Sequence, residues 1–152
     1  MPFTMQGSME LDCSVEQAWS ALNDEQVLKR CIPGCQALER SGENAFEATV
    51  QVKIGPISAK FKGAVELTDL DPPHAYRISG QGSGGVAGSV KGGAFVKLEQ
   101  TPSGCLLTYT VEATIGGKIA QLGSRLIDGV AKKQADLFFG EFRQAIEISP
   151  AA

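Results

Sequence analysis

Across residues 36–115 apolar side chains recur at every second position, whereas over residues 15–30 and beyond 117 they recur every three to four. A chain with this pattern must build a sheet with one wet face and one buried face, and helices must cover the buried one. Phe46, Ala48, Val50, Val52 and Ile54 alternate with Glu47, Thr49, Gln51 and Lys53. After the Gly55-Pro56 turn, Ile57, Ala59, Phe61, Gly63, Val65 and Leu67 take up the alternation. Asp71-Pro72-Pro73 turns the chain into Tyr76, Ile78, Gly80 and Gly82, and a further set runs Val90, Gly92, Ala94, Val96 and Leu98. Pro102-Ser103-Gly104 leads into Cys105, Leu107, Tyr109, Val111, Ala113 and Ile115. Short turns between half-buried runs specify hairpins, hence an antiparallel sheet. With a strand at 3–11 and a short one at 37–40, the sheet has seven strands.

The flanks are helical. Ser14-Val15-Glu16-Gln17 has the form of a capping box, a hydroxyl at the cap and an amide three residues on. Val15, Ala18, Trp19 and Leu22 then give a short amphipathic helix. Asp24 can cap a second one through residue 30. Pro33 forbids helical geometry at Ile32, and Gly34 supplies the turn. Beyond Gly116-Gly117, the residues Ile119, Leu122, Leu126, Val130, Leu137, Phe138, Phe142 and Ile146 mark one face of a long C-terminal helix, which Ser149-Pro150 ends. The expected fold class is α+β: a curved antiparallel sheet around one long helix, with two short helices after the first strand, as a single domain over residues 1–152.

The formal net charge of −3 opposes a nucleic-acid partner, whose phosphates demand a basic face. No run approaches the ~18 consecutive apolar residues of a membrane span. The opening MPFTMQGSMEL has neither the basic start nor the apolar centre of a secretory signal. The expected setting is cytoplasmic, with membrane contact at most peripheral. Four cysteines in a chain of this length do not suggest a disulfide framework.

Chemistry-bearing motifs are sparse. Cys31 and Cys35 flank a Pro-Gly turn, but zinc requires four suitably spaced ligands, and the single histidine, His74, stands elsewhere. Cys13 and Cys105 have no paired spacing. These thiols read as small buried side chains, and no metal site or catalytic residue is assigned. Gly80, Gly82 and Gly85 match dinucleotide-loop spacing without the strand-to-helix context that gives it meaning. Two readings of the glycines on the inner face, Gly80, Gly82 and Gly92, stay open. They remove volume that a solid core would fill, or they permit sharp bending. The first predicts an enclosed apolar cavity. Its expected lining is Phe46, Val50, Val52, Phe61, Val65 and Val111, with Ile78 and Val96. Leu122, Leu126 and Val130 would cover it from the helix, and Tyr76 and Tyr109 would orient one polar end of a ligand.

The order strand, two short helices, six strands, long helix resembles the helix-grip arrangement of the START and birch-pollen-allergen superfamily. Within it, AWSALND at 18–24, CIPGC at 31–35, FKGAVELTDLDPP at 61–73, GQGSGGVAGSVKGGA at 80–94 and IGGKIAQLGSRLIDGVAKKQADLFF at 115–139 resemble the G-subunit family of carbon monoxide dehydrogenase. The resemblance implies a small accessory protein that serves a molybdenum-dependent oxidoreductase and helps bring it to the membrane. Many such proteins carry an apolar C-terminal tail, which this sequence lacks. The leading expectation is a non-catalytic protein that binds a hydrophobic small molecule, a quinone or lipid, with no covalent cofactor. A recruitment or assembly factor working by protein contacts alone is the alternative. An enzyme such as a cyclase or hydrolase on the same fold is disfavoured by the lack of inward acid–base pairs.

Overall fold

The computed structural model describes residues 1–148. Its strands are β1 (Pro2–Leu11), β2 (Cys35–Gly42), β3 (Ala45–Ile54), β4 (Ile57–Asp71), β5 (Ala75–Ser83), β6 (Ser89–Thr101) and β7 (Gly104–Gly116). They form one antiparallel sheet in the order β1-β7-β6-β5-β4-β3-β2. The hairpins follow in sequence, and β1 closes the order by pairing with β7. The alternating sets fall into a single register: Phe3 faces Ala113, Ala113 faces Gly92, Gly92 faces Gly80, Gly80 faces Val65, and Val65 faces Phe46. All inward side chains therefore share one face. β4 runs beyond its expected end at Leu67, across an irregularity at residues 68–71 where Asp69 has φ 51°.

The two short helices are α1 (Val15–Leu22) and α2 (Glu25–Cys31). The capping box forms as the sequence predicts: the Ser14 hydroxyl accepts from the Gln17 N–H, and the Gln17 side chain accepts from the Ser14 N–H. Asp24 accepts from Gln26 and Val27. Ile32, held extended before Pro33, ends α2.

The long helix departs from expectation at its start. Residues Lys118–Leu122 form a 3-10 turn, and Gly123, at φ 93°, separates it from α3 (Ser124–Ile148). The break takes Ile119 and Leu122 out of the long helix, and within α3 the buried face is narrower than the expected stripe. Ile127, Phe142, Ala145 and Ile146 are buried, whereas Leu126 and Leu137 are 36% and 47% exposed. Eleven residues apart, those two leucines share a direction about one residue-step away from the buried one. The expected stop at Ser149-Pro150 lies outside the described residues.

α3 spans two separate cores. The larger joins α1, α2 and the C-terminal half of α3 to the sheet through Leu11, Ala18, Cys31, Tyr76, Leu98 and Phe142. Trp19 meets Tyr76 edge to face at 5.2 Å, and Phe138 stacks on Phe142 at 5.8 Å. The smaller core, at the opposite end of the strands, contains Ala59, Ala87, Ile115, Ile119 and Ile127. Phe142 is 0% exposed. Replacing it with alanine should destabilise the fold by about 3–5 kcal/mol, read from urea unfolding. Leu137→Ala should change stability by no more than about 0.5 kcal/mol.

Candidate functional site

Between the two cores a cluster of small residues thins the inner face of the sheet. Ala48, Gly63, Gly82, Gly92, Ala94 and Ala113 stand side by side on five strands, where valines and leucines would otherwise meet α3. The result is an almost wholly apolar hollow of about 330 Å³. It is open to solvent, unlike the enclosed cavity expected: Val65, on the inner face, is 36% exposed.

Of the residues predicted to line a cavity, Phe46, Val50, Phe61, Val65, Ile78, Gly80, Gly82, Gly92 and Val111 line this hollow. Val52, Tyr76, Val96, Tyr109, Leu122, Leu126 and Val130 do not. Val52 faces Ala59 near the hairpin end. Tyr76 and Val96 are buried in the larger core. Tyr109 stacks on Phe139 at 5.3 Å and lies across Gly7, where a side chain would run into its phenol ring. Neither tyrosine presents its hydroxyl to the hollow as a polar anchor. Burial raises both phenol pKa values, with Asp136 adding to the effect at Tyr109. Leu122 belongs to the 3-10 turn, and Leu126 points off the buried stripe beside Gly55. The helix therefore does not cover the hollow with these side chains. Ala48, Gly63, Val90, Ala94 and Ala113 also line it, and their parity in the alternation was the available signal; Ala64, Gln81 and Gly93, of the opposite parity, contribute as well.

The glycines divide by what surrounds them. A methyl group at Gly82 would meet its nearest atom, the Lys62 carbonyl oxygen, at 3.7 Å, an ordinary contact. At Gly80 it would come within 2.6 Å of a Val65 methyl and 2.7 Å of the Ala64 carbonyl oxygen. At Gly92 it would collide with the backbone of Glu112 and Ala113. Gly82 thus leaves usable space, while Gly80 and Gly92 allow close approach of neighbouring strands in a strongly bent sheet.

A larger depression, about 810 Å³, lies on the outer face and is lined by polar groups including Glu39, Glu47, Thr49, Lys62, Gln81 and Lys91. It shares Ala48, Gly63, Ala64, Gln81, Gly82 and Val90 with the inner hollow, so the two stand back to back across the sheet. The end of the molecule formed by the β3–β4 turn, the Gly85–Ala87 turn and residues 116–122 is basic. Segments 48–65, 72–98 and 113–127 contain no acidic residue. Lys53, Lys60, Lys62, Lys91, Lys118 and Arg125 take part in none of the ion pairs found among the described residues. At the tip, Val86 is 84% exposed.

Among the described residues no group of three or more His, Cys, Asp or Glu side chains is placed to hold a metal ion. All four thiols are free. The fold brings Cys13 and Cys105 together, a pairing invisible in their spacing. Burial, then Cys105 beside it, pushes the Cys13 thiol up to about 12, and burial pushes Cys31 up to about 11. His74 is exposed in the β4–β5 turn. The glycine motif leads from β5 into antiparallel β6, so it has no dinucleotide-binding context.

The family model for the G subunit of carbon monoxide dehydrogenase (CoxG) matches residues 7–147. The chain belongs to that family. A conserved protein of Geobacillus kaustophilus shares 37% identity over 97% of both chains, with a TM-score of 0.90. The aromatase/cyclase Zhui from a Streptomyces species superposes with a TM-score of 0.73 over 100% of this chain and 98% of its own, at 9% identity. A Chromobacterium violaceum protein does so at 0.71, with 13% identity over 94% and 96%. These distant likenesses establish the helix-grip fold. Among curated proteins, none matches significantly.

Two substitutions separate the roles of the glycines. Gly82→Leu should leave the thermal midpoint unchanged or slightly higher, and should reduce uptake of a fluorescent apolar probe several-fold. Gly92→Leu should destabilise by about 1–3 kcal/mol or more through overpacking. A lower midpoint with undiminished uptake in Gly82→Leu would overturn the assignment of the hollow. In thiol titration of the native protein near pH 8, half-buried Cys35 should react first, and all four thiols should react after denaturation.

Proposed function

We propose that the chain is a non-catalytic accessory protein that carries a hydrophobic small molecule, a quinone or a lipid, for a molybdenum-dependent oxidoreductase of the carbon monoxide dehydrogenase type. The apolar hollow carries this reading. Its volume of about 330 Å³ is that of a small-ligand pocket. With no tyrosine hydroxyl turned into it, the hollow suits an isoprenoid or acyl portion better than a polar head. The open mouth lets the rest of a longer ligand protrude. A carrier of this kind would link the oxidoreductase to a lipid-soluble electron acceptor.

The basic end supports a peripheral role at the membrane, despite the net charge of −3. Each cation near an anionic bilayer contributes about 1 kcal/mol, and Val86 offers an apolar tip among them. No helix among the described residues is long and apolar enough to cross a membrane, so contact of this kind would be superficial.

Native mass spectrometry of freshly purified protein should show a co-purifying quinone or lipid in wild type and lose it in Gly82→Leu. Clean apoprotein that takes up no quinone or lipid on addition would favour recruitment by protein contacts alone, and turnover of an added ligand would favour an enzyme. In flotation with vesicles containing anionic lipid, wild type should bind at low salt. Lys60→Glu/Lys91→Glu should weaken that binding about tenfold, and neutral vesicles should bind neither protein.

A further inference from the structure

β1 is an edge of the sheet, and among the described residues β7 is its only strand neighbour. Met1 and Ile115 exchange both backbone hydrogen bonds, at 2.7 and 2.8 Å. In this register the odd residues of β1 are therefore the ones bonded to β7. The N–H and C=O groups of the even residues point away from the sheet. Arg143 bears this out by donating to the outward carbonyl of Glu10 at 3.1 Å. Between Glu10 and Pro2, which has no N–H, the outward backbone groups of Thr4, Gln6 and Ser8 have no backbone partner among the described residues. An edge of this length is a template for another strand, and proteins usually blunt such edges with lysines or bulges. β1 has neither.

Beside this edge lies a depression of about 400 Å³, walled on its far side by Asp128, Lys132 and Asp136 of α3. These three side chains are exposed and take part in none of the ion pairs found among the described residues. Positions four apart on a helix are separated by about 6 Å. Alternate positions on a strand are separated by about 6.8 Å. A strand laid along β1 would thus present three successive same-face side chains to the three charges. The complementary order is basic, acidic, basic. A second copy paired edge to edge about a two-fold axis would instead set Asp128 against Asp136 and Lys132 against Lys132.

We propose that the free edge of β1 and the Asp128–Lys132–Asp136 stripe form a docking site for an extended peptide segment of a partner protein. The segment adds as an eighth strand and carries basic, acidic and basic side chains at alternate positions. The site is independent of whatever the hollow carries.

The test uses a synthetic peptide of about seven residues, typical of a strand, with Lys, Glu and Lys at its second, fourth and sixth positions and threonine elsewhere. NMR titration of the whole chain should show fast-exchanging Thr4, Gln6 and Ser8 amides becoming protected as peptide is added. Gln6→Pro removes an outward donor and no β1–β7 hydrogen bond. It should weaken binding at least tenfold with the thermal midpoint little changed. Asp128→Lys/Asp136→Lys should abolish binding of this peptide and create binding of one with Glu at its second and sixth positions. That pair carries the test if the proline variant misfolds. Three results would overturn the proposal: amides protected without peptide at every protein concentration, protection that rises with protein concentration alone (a second copy on the edge), or peptide binding indifferent to the charge reversal.

Discussion

The common parity of the strands is the constraint on which the rest of this structure depends. From β1 to β3 the inward residues of six neighbouring strands fall in line, because each pairing joins one alternating set to the next, and the one irregularity, at residues 68–71 of β4, lies beyond the last inward position of its set. A one-residue shift in any pair would turn that strand's apolar set outward. Given the common face, side-chain size along each strand decides where there is a core and where there is none. Large residues gather at both ends, around Phe142 and around Ile119, and the small ones fall between. The hollow results from clustering small residues at neighbouring inward positions on five strands.

The face of each strand and the run of hairpins from β2 to β7 are legible in the sequence, since period two and short turns determine them; the place of β1 beside β7 is not, because no turn joins them. The caps at Ser14 and Asp24 are legible too, being local chemistry. The helix stripe misleads because it is too wide: within the unbroken α3, Leu126 and Leu137 lie about 100° around the axis from Ile127 and Ala145, so residues of two adjacent faces look like one in the sequence. Gly123 separates Ile119 and Leu122 from that helix altogether. Tyr76 and Tyr109 share the inward parity of the lining but lie further along their strands, where α1 and α3 reach the sheet. Height along a strand depends on which helix docks there, and alternation is silent on that.

The glycines show the same limit within one residue type. Gly7 makes room for a tyrosine ring, Gly80 and Gly92 for neighbouring backbone, and Gly82 for nothing in the chain itself. In the sequence Gly80, Gly82 and Gly92 are simply inward glycines. Only the positions of atoms on adjacent strands separate a site of crowding from a site of vacancy. The paired thiols of Cys13 and Cys105 are hidden for a related reason, since they meet through the β1–β7 pairing and not through any spacing.

At Gly63 and Gly82 the sheet is a single layer of peptide units, with the inner hollow on one side and the polar depression on the other. Elsewhere a guest is insulated from the outer surface by its own side-chain contacts. Here the backbone itself is the partition, and it has no side chain on the inner face to absorb a displacement. A molecule filling the hollow would rest against the same peptide planes that floor the outer depression, between Lys62 and Lys91. Loaded and empty forms would then differ in outer contour at this spot, so a partner resting there could sense the cargo without touching it.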